Sequence, residues 1–252
     1  MRFASLGSGS KGNATIVQSG DTLLMIDCGF SLRETTRRMV RLGLEPEQLQ
    51  AILVTHEHSD HCAGVARLSR RYNIPVYLTH GTAASGRCDG SHEFRCFNCD
   101  EHIQIGDIDV QTVAVPHDAA EPCQFRLSSN GRSLGVLTDL GCVTPHVVAS
   151  YRGCDSLLLE FNHDADMLQQ GAYPAQLKRR VGGDWGHLNN HQAAQLLQQL
   201  DCAETLNNLV VAHISDNNNS RDCAEQALST VLDSLEEVVW AHQNEGFSWL
   251  QV

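Results

Sequence analysis

The sequence lacks any apolar run long enough to cross a membrane, and its first residues lack an apolar core. A membrane-spanning helix needs about 20 consecutive, mainly apolar residues. A secretion signal needs a shorter apolar stretch close to the N-terminus, and residues 1–7 do not begin one. These absences predict a cytoplasmic protein with no membrane partner.

Cysteine is not scarce, but it lacks the setting in which disulfides form. The ten cysteines are scattered along the chain, and no secretion signal accompanies them, so we expect reduced thiols that are mostly small, buried, apolar residues. One irregular group occurs in residues 81–102, the least patterned part of the sequence, and consists of Cys88, His92, Cys96 and Cys99. A loop with unpaired thiols is the favoured interpretation of this group, and a structural zinc site is the alternative.

An excess of positive charge is also missing. The chain has 18 lysines and arginines against 30 aspartates and glutamates, and its formal net charge is −12 with neutral histidines. Proteins that coat nucleic acid rely on bulk attraction to phosphates. The charge balance therefore argues against such coating, although it leaves open a local nucleic-acid site at which metal ions neutralise acidic ligands.

Metal-binding side chains are concentrated in residues 54–61. They are His56, His58, Asp60 and His61. Apolar residues 51–54 predict a buried strand before them, and the spacing of apolar residues predicts a helix over residues 61–72. The group is thus expected in a loop at the carboxyl end of a strand, where ligands of α/β sheets bind. Imidazole and carboxylate groups together indicate zinc, manganese or iron.

This pattern resembles the H-x-H-x-D-H signature of the metallo-β-lactamase fold, and the family's other ligand positions follow in order. Each comes after an apolar, strand-like run. They are Asp27, His117, Asp139 and His213. The resemblance spans most of the chain and implies an α+β fold, a four-layer αββα sandwich.

The resemblance also implies a single metallo-β-lactamase-fold domain over residues 1–252. Large nucleases of the family insert a β-CASP domain between the positions that match Asp139 and His213. Here that interval is short and already holds a predicted strand and two predicted helices, so we expect no β-CASP insertion. The glycine-proline-rich arm of tRNA-processing relatives has no counterpart either.

By resemblance, the ligands hold two divalent metal ions, zinc or manganese, with iron also compatible. One metal would be held by His56, His58 and His117, and the other by Asp60, His61 and His213. Asp139 would bridge the two, and Asp27 would orient the histidine loop from outside. Two metals about 3.5–4 Å apart can activate a bridging hydroxide and clamp a phosphoryl oxygen, and Asp60 would orient that hydroxide or accept its proton.

Two further catalytic residues come from the same resemblance. His187 precedes a helix predicted through Leu200 and matches the histidine that protonates the leaving alkoxide in tRNA-processing relatives. Glu160, at the end of a predicted strand, matches the glutamate that aligns this histidine. The alternative is that His187 only caps or stabilises its helix. Weaker candidates for substrate contact are His163, Ser215 and Asn217.

Three segments resemble the WalJ/YycJ-like branch of the family, namely residues 8–13, 116–122 and 157–164. That branch implies a phosphodiesterase that acts on DNA as an exonuclease. The alternative is a hydrolase of small or cyclic phosphodiesters. A thioesterase or lactonase is disfavoured, because glyoxalase-like relatives have Gly-His where this chain has Pro-His at position 117. A metal-dependent binding module without activity is a further alternative, and the oligomeric state is left open.

Three other segments each have two interpretations, and the sequence pattern of a fourth predicts a helix. The glycine-serine loop, residues 8–13, favours a hairpin turn over an anion-binding loop, since no helix follows it. The arginine-rich helix between residues 31 and 43 and the basic run at residues 178–180 are each either a solvated face or a phosphate contact. A last helix is predicted over residues 220–235.

Overall fold

A computed structural model describes residues 1–201 and 206–252, with its strands in two seven-stranded sheets. The first sheet contains β1 (Arg2–Gly7), β2 (Ala14–Ser19), β3 (Thr22–Ile26), β4 (Ala51–Leu53), β5 (Pro75–Thr79), β6 (Glu93–Phe97) and β14 (Phe247–Gln251). The second contains β7 (His102–Ile105), β8 (Ile108–Ala114), β9 (Cys123–Ser129), β10 (Arg132–Leu137), β11 (Ser156–Glu160), β12 (Asn208–Ala212) and β13 (Val239–Trp240). The strand orders are β14-β1-β2-β3-β4-β5-β6 and β13-β12-β11-β10-β9-β8-β7.

The helices lie between these strands along the chain. They are α1 (Leu32–Arg41), α2 (Ser59–Cys62), α3 (Val65–Tyr72), α4 (His80–Ala84), α5 (Pro145–Tyr151), α6 (Ala165–Gln170), α7 (Ala175–Val181), α8 (Asn190–Leu200) and α9 (Arg221–Leu228). A short 3-10 helix spans Pro46–Gln48. None of the described helices combines the length and the apolar character that crossing a membrane requires.

The alternation of side chains along the strands builds the layers. Successive residues of a strand point to opposite faces of its sheet. In β3, Leu24 packs into a core that both sheets share, whereas Met25 packs against the helices outside the first sheet. In β11, Leu158 faces the shared core and Leu157 faces the helices outside the second sheet. Two sheets with helices on both outer faces confirm the expected α+β sandwich.

Several turns and helix ends contain the residue types that their geometry favours. The β9–β10 hairpin turns through Asn130 and Gly131, whose positive φ angles of 53° and 73° suit a two-residue turn. Ser31 caps α1 and Asn189 caps α8 through their side chains. In α1, Arg38 is buried and donates to the carbonyl oxygens of Leu6 and Gln243. It is therefore neither a solvated residue nor a phosphate contact, the two interpretations of the arginine-rich helix.

The helix predicted over residues 61–72 is wrong as one element. The structure has α2 and α3, which are separated at Gly64. The backbone of Gly64 approaches the segment between β3 and α1 so closely that a Cβ there would clash with the carbonyl oxygen of Phe30. Apolar spacing alone does not reveal such an approach, because it depends on residues distant in sequence.

Two other segments differ from expectation. Residues 81–102 are a loop only in part, because they contain part of α4 and the edge strand β6, whose first four residues are exposed and therefore lack an apolar pattern. The last helix ends at Leu228 instead of residue 235. The hydroxyls of Ser229 and Thr230 donate to carbonyl oxygens of its last turn, which competes with helix continuation.

The described cysteines are free thiols, and Cys202 lies outside the described residues. Cys88 is buried and Cys96 is exposed on β6. Within the described part of the chain, the side-chain groups able to hold a metal do not include Cys88, His92, Cys96 or Cys99.

Candidate active site

The predicted ligands come together where parallel strands end. Strands β3 and β4 run parallel, as do β10, β11 and β12, so their carboxyl ends lie at the same edge of each sheet. Asp27, Asp139 and His213 each directly follow such a strand or come one residue later, with φ angles of 59°, 60° and 52°. A left-handed backbone at a residue other than glycine costs about 1–3 kcal/mol and persists where the surroundings enforce it. These turns bring the side chains to a common centre.

Four overlapping groups of side-chain atoms are arranged to hold metal ions, with the atoms of each group within 4.8 Å of one another. The groups are His56, His58 and His117; Asp60, His61 and His213; His56, His61 and Asp139; and Asp139, Glu160, His187 and His213. The structure thus brings together every residue that the sequence predicts as a metal ligand.

The donor atoms of this centre converge in a way that suits cations. Nε2 of His56 is buried and has no hydrogen-bond partner in the described part of the chain. Nε2 of His61 lies 2.9 Å from Oδ2 of Asp139, and Nε2 of His117 lies 3.3 Å from Nδ1 of His58. Buried polar atoms without partners are costly. Imidazole and carboxylate donors in this arrangement fit divalent metal ions.

The opposite nitrogen of these histidines is held by the protein. Nδ1 of His61 lies 2.7 Å from Oδ2 of Asp27, which also accepts a hydrogen bond from the Thr55 hydroxyl. Nδ1 of His117 donates to the carbonyl oxygen of Gly186 at 2.9 Å. Such contacts fix the ring orientation and leave Nε2 for a metal. Asp27 therefore lies where the sequence predicts it, behind His61.

Burial and charge oppose each other at the histidines of the second predicted metal. Burial lowers the pKa of His61 and His213, but the Asp139 carboxylate and its acidic neighbours outweigh it. The pKa of His61 is held well above its ordinary value, and that of His213 is raised to about 10. A histidine that ligates a metal must be neutral, so metal binding at this centre releases protons and weakens as the pH falls.

Glu160 and His187 form a pair beside this centre. Nδ1 of His187 lies 3.2 Å from Oε2 of Glu160, and Oε1 of Glu160 accepts hydrogen bonds from the backbone amides of Leu140 and Leu188. Glu160 is fully buried, and burial raises its pKa, but the His187 and His213 contacts hold it at about 2. The carboxylate is therefore ionised and oriented, as an aligning residue requires.

The glycine-serine loop, residues 8–13, is part of the site. Its favoured interpretation as a plain hairpin turn did not predict this. Nδ2 of Asn13 lies 3.1 Å from Nε2 of His61 and 3.4 Å from Oδ2 of Asp60. The Ser8 hydroxyl donates to Oδ1 of Asn13 and accepts from the backbone amide of His213. The Ser-Gly-Ser-x-Gly-Asn resemblance was the available signal, but it did not say which side chains Asn13 meets.

The donor atoms open onto a cavity of about 570 Å³. Its lining includes Asp60, Asp139, His187, His213 and Ser215. Two of the weaker substrate candidates are not among the residues that line this cavity. Asn217 is exposed and hydrogen-bonds to Tyr173, and His163 is buried and lines a second cavity on the other side of α7.

Sequence reasoning singled out the basic run, residues 178–180, but not its partner, which is distant in the chain. Arg180, in the basic run of α7, forms an ion pair with Asp118 at the cavity wall. Burial raises the pKa of Asp118, but the Arg180 contact and nearby histidines outweigh it and hold the pKa below its usual value. Arg87 and Tyr173 line the same cavity.

Removal of divalent metal is expected to lower the melting temperature. Metal ions that bind the folded site but not the unfolded chain add stability, by about 2.7 kcal/mol at a free concentration of 100 times Kd. Differential scanning calorimetry of chelated protein, with and without added zinc or manganese, measures this effect. A melting temperature that does not respond to either metal would contradict metal binding at this centre.

The sequence of this chain matches a known family and several named proteins. Residues 22–214 match the β-lactamase superfamily domain. Exodeoxyribonuclease YycJ of Bacillus anthracis is 35% identical to this chain over 238 residues, which cover 92% of this chain and 89% of that protein. Exodeoxyribonuclease WalJ of Streptococcus pneumoniae is 32% identical over 238 residues, which cover 90% and 86%.

A solved structure supports the fold independently. The metallo-β-lactamase fold protein YhfI from Bacillus subtilis superimposes with a TM-score of 0.78 and covers 99% of this chain and 98% of its own. Its sequence identity is 17%. At that identity the likeness is one of fold alone.

Proposed function

The chain belongs to the β-lactamase superfamily, and from this membership we propose that it is a dinuclear-metal phosphodiesterase that acts on DNA as an exonuclease. The observation that supports the proposal most directly is that the predicted metal ligands and the His187–Glu160 pair meet at one polar cavity. The family is one of hydrolases. The exodeoxyribonuclease names of relatives that match nearly the whole chain support DNA as the substrate.

The ligand groups suit two adjacent metal sites. One would use His56, His58 and His117, and the other Asp60, His61 and His213, with Asp139 between them. Metal ions held there would polarise a phosphoryl oxygen and make a water molecule more acidic. The chain's own residues would perform the remaining steps.

Asp60 is placed to orient the attacking water and accept its proton. Its side chain is 22% exposed, whereas that of Asp139 is only 2% exposed, so Asp60 faces the cavity. Its Oδ2 lies 3.6 Å from Nε2 of His213 and within reach of the Asn13 amide. These neighbours hold the carboxylate in one orientation, which general-base catalysis requires.

His187 is placed to protonate the leaving alkoxide. Its side chain is 20% exposed and lines the cavity, while Nδ1 faces the buried carboxylate of Glu160. That contact holds the ring in one orientation, and Nε2 would be the atom that donates the proton to the alkoxide. The side chain of Asn189 caps α8, so His187 does not serve as its N-cap.

Phosphate groups of the substrate would meet cations at the cavity wall. Arg87 and Arg180 both line it, and an arginine offers several donors in a geometry that matches phosphate oxygens. The ion pair between Arg180 and Asp118 fixes the guanidinium near the site. Since the whole chain carries a net charge of −12, local cations of this kind would have to position DNA.

A small or cyclic phosphodiester is the second candidate substrate. The cavity of about 570 Å³ has the volume of a small-ligand site, and Asp118 offsets part of the charge of Arg180. These two observations favour a ligand of nucleotide size. The comparison of a small diester with DNA decides between the candidates.

The test is turnover after chelation and restoration of manganese or zinc. Bis-p-nitrophenyl phosphate and a 5′-phosphorylated DNA duplex serve as parallel substrates. We expect metal-dependent cleavage of both, with progressive loss of the duplex from an end. Cleavage of the small diester alone would favour the second candidate, and no cleavage of either by fully metallated protein would refute the phosphodiesterase proposal.

A further inference from the structure

Trp185 stands out from the other large apolar side chains because it is exposed beside the cavity. It is 64% exposed, and the next two residues, Gly186 and His187, line the cavity. Phe94 is 36% exposed, but it lies on the edge strand β6. Isolated exposed apolar residues are common, so exposure gains meaning here only from what surrounds Trp185.

The backbone that carries Trp185 is a tightly fixed turn. The amide of Gly186 donates to the carbonyl oxygen of Gly183, and the amide of His187 donates to that of Val181, both at 2.8 Å. Gly141 packs so closely that a Cβ there would lie 2.6 Å from Cα of Trp185. The indole therefore projects from a rigid support, which limits the conformational entropy that binding would cost.

The same turn is joined directly to the catalytic centre. The carbonyl oxygen of Gly186 accepts the hydrogen bond from Nδ1 of His117, and His187 follows immediately. The fold thus fixes the position of the indole relative to the predicted metal ligands. A group stacked on Trp185 would have a set distance to the reacting phosphate.

A cation lies at the cavity next to the turn that carries Trp185. Helix α7 has no buried residues and leads into this turn, and Arg180 in its last turn lines the cavity. Lys178 and Arg179 of the same turn line the second cavity instead. A flat aromatic ring close to a cation is the combination with which proteins hold single-stranded nucleic acid, since bases stack on the ring and phosphates meet the cation.

We propose that Trp185 is a platform on which an unpaired nucleobase of the DNA substrate stacks while an adjacent phosphate lies in the cavity. This inference rests on the proposed function and narrows its substrate to a single-stranded end or overhang. An indole stacks on every base, so binding is expected to show little sequence preference. The proposal gives the exposed indole a role distinct from the chemistry of the metal centre.

A double-mutant cycle between protein and DNA tests the platform. Fluorescence anisotropy measures the binding of a labelled oligo-dT in the Asp60→Asn background with metal present, which limits cleavage. We expect Trp185→Ala to weaken binding by about tenfold or more, and Trp185→Phe to retain most of the affinity. Oligomers with an abasic residue at successive positions remove the base instead of the ring.

At one position, the loss caused by the abasic residue should largely disappear when Trp185 is already alanine, because both changes remove the same contact. Phe94→Ala, which removes an exposed aromatic side chain on β6, should leave binding unchanged. Unchanged affinity in Trp185→Ala, or additive losses at every abasic position, would overturn the platform.

Turnover separates this inference from the proposed function. If wild-type protein cleaves DNA and Trp185→Ala has an unchanged KM for it, the platform fails and the nuclease function stands. If wild-type protein cleaves only the small diester, the DNA function fails, and the anisotropy cycle still decides whether Trp185 binds a base.

Discussion

Asp60→Asn is expected to lower kcat by about 10³-fold or more on both DNA and bis-p-nitrophenyl phosphate. Asparagine keeps an oxygen and the side-chain shape but cannot accept a proton, and general-base catalysis alone contributes about 10²–10⁴-fold. The Asp60 carboxylate is also one of the groups that would hold one of the metals. Steady-state kinetics on both substrates, with metal content measured by mass spectrometry, tests this expectation.

The matched control is Asp21→Asn, the same substitution at an exposed aspartate in the turn between β2 and β3. It should retain wild-type turnover. Asp60→Asn that keeps both turnover and metal would contradict the proposed mechanism. Lost turnover with full metal content would assign Asp60 to proton transfer or water orientation, whereas lost turnover together with lost metal would assign it mainly to ligation.

The convergence of the proposed ligands was predictable because each of them follows a strand of recognisable pattern. Thr22–Ile26 before Asp27 and Asn208–Ala212 before His213 are apolar runs, and parallel strands bring their carboxyl ends to one edge. The order of the motifs, which comes from the resemblance, indicated which residues would bind the metals together. The αββα layers also came from that resemblance, since periodicity predicts strands but not how sheets pair.

Contacts between side chains that only the fold brings together could not be predicted from the sequence. Asn13 meets His61, and Asp118 meets Arg180, across long stretches of chain. The break between α2 and α3 has the same origin, because Gly64 approaches Phe30 from the neighbouring segment. Local pattern contains no information on such encounters.

The acidic composition and a DNA substrate are compatible because part of the negative charge lies in the site. Asp27, Asp139 and Glu160 are buried, and Asp60 lines the cavity. Divalent ions bound there would offset these charges where a phosphate must approach. The remaining acidic residues disfavour long-range attraction of DNA, so we expect affinity to depend on local contacts rather than on bulk charge.

His187→Ala is expected to lower kcat on DNA by about 10²–10⁴-fold, the usual contribution of a general acid, and to change turnover of bis-p-nitrophenyl phosphate by less than about tenfold. The deoxyribose alkoxide is a strong base and needs a proton to leave, whereas nitrophenolate is stable as an anion. The variant should still fold, because Glu160 retains hydrogen bonds from the amides of Leu140 and Leu188.

The comparison between the two leaving groups distinguishes proton donation from positioning. Nδ1 of His187 also lies 3.3 Å from Oδ1 of Asp139, so removal of the ring could disturb the metal centre instead. A disturbed centre would slow both substrates equally, and added imidazole would not restore DNA cleavage. His191→Ala, which removes an exposed histidine from α8, should behave as wild type. Equal losses on both substrates in His187→Ala would therefore move this histidine from acid catalysis to support of the metal ligands.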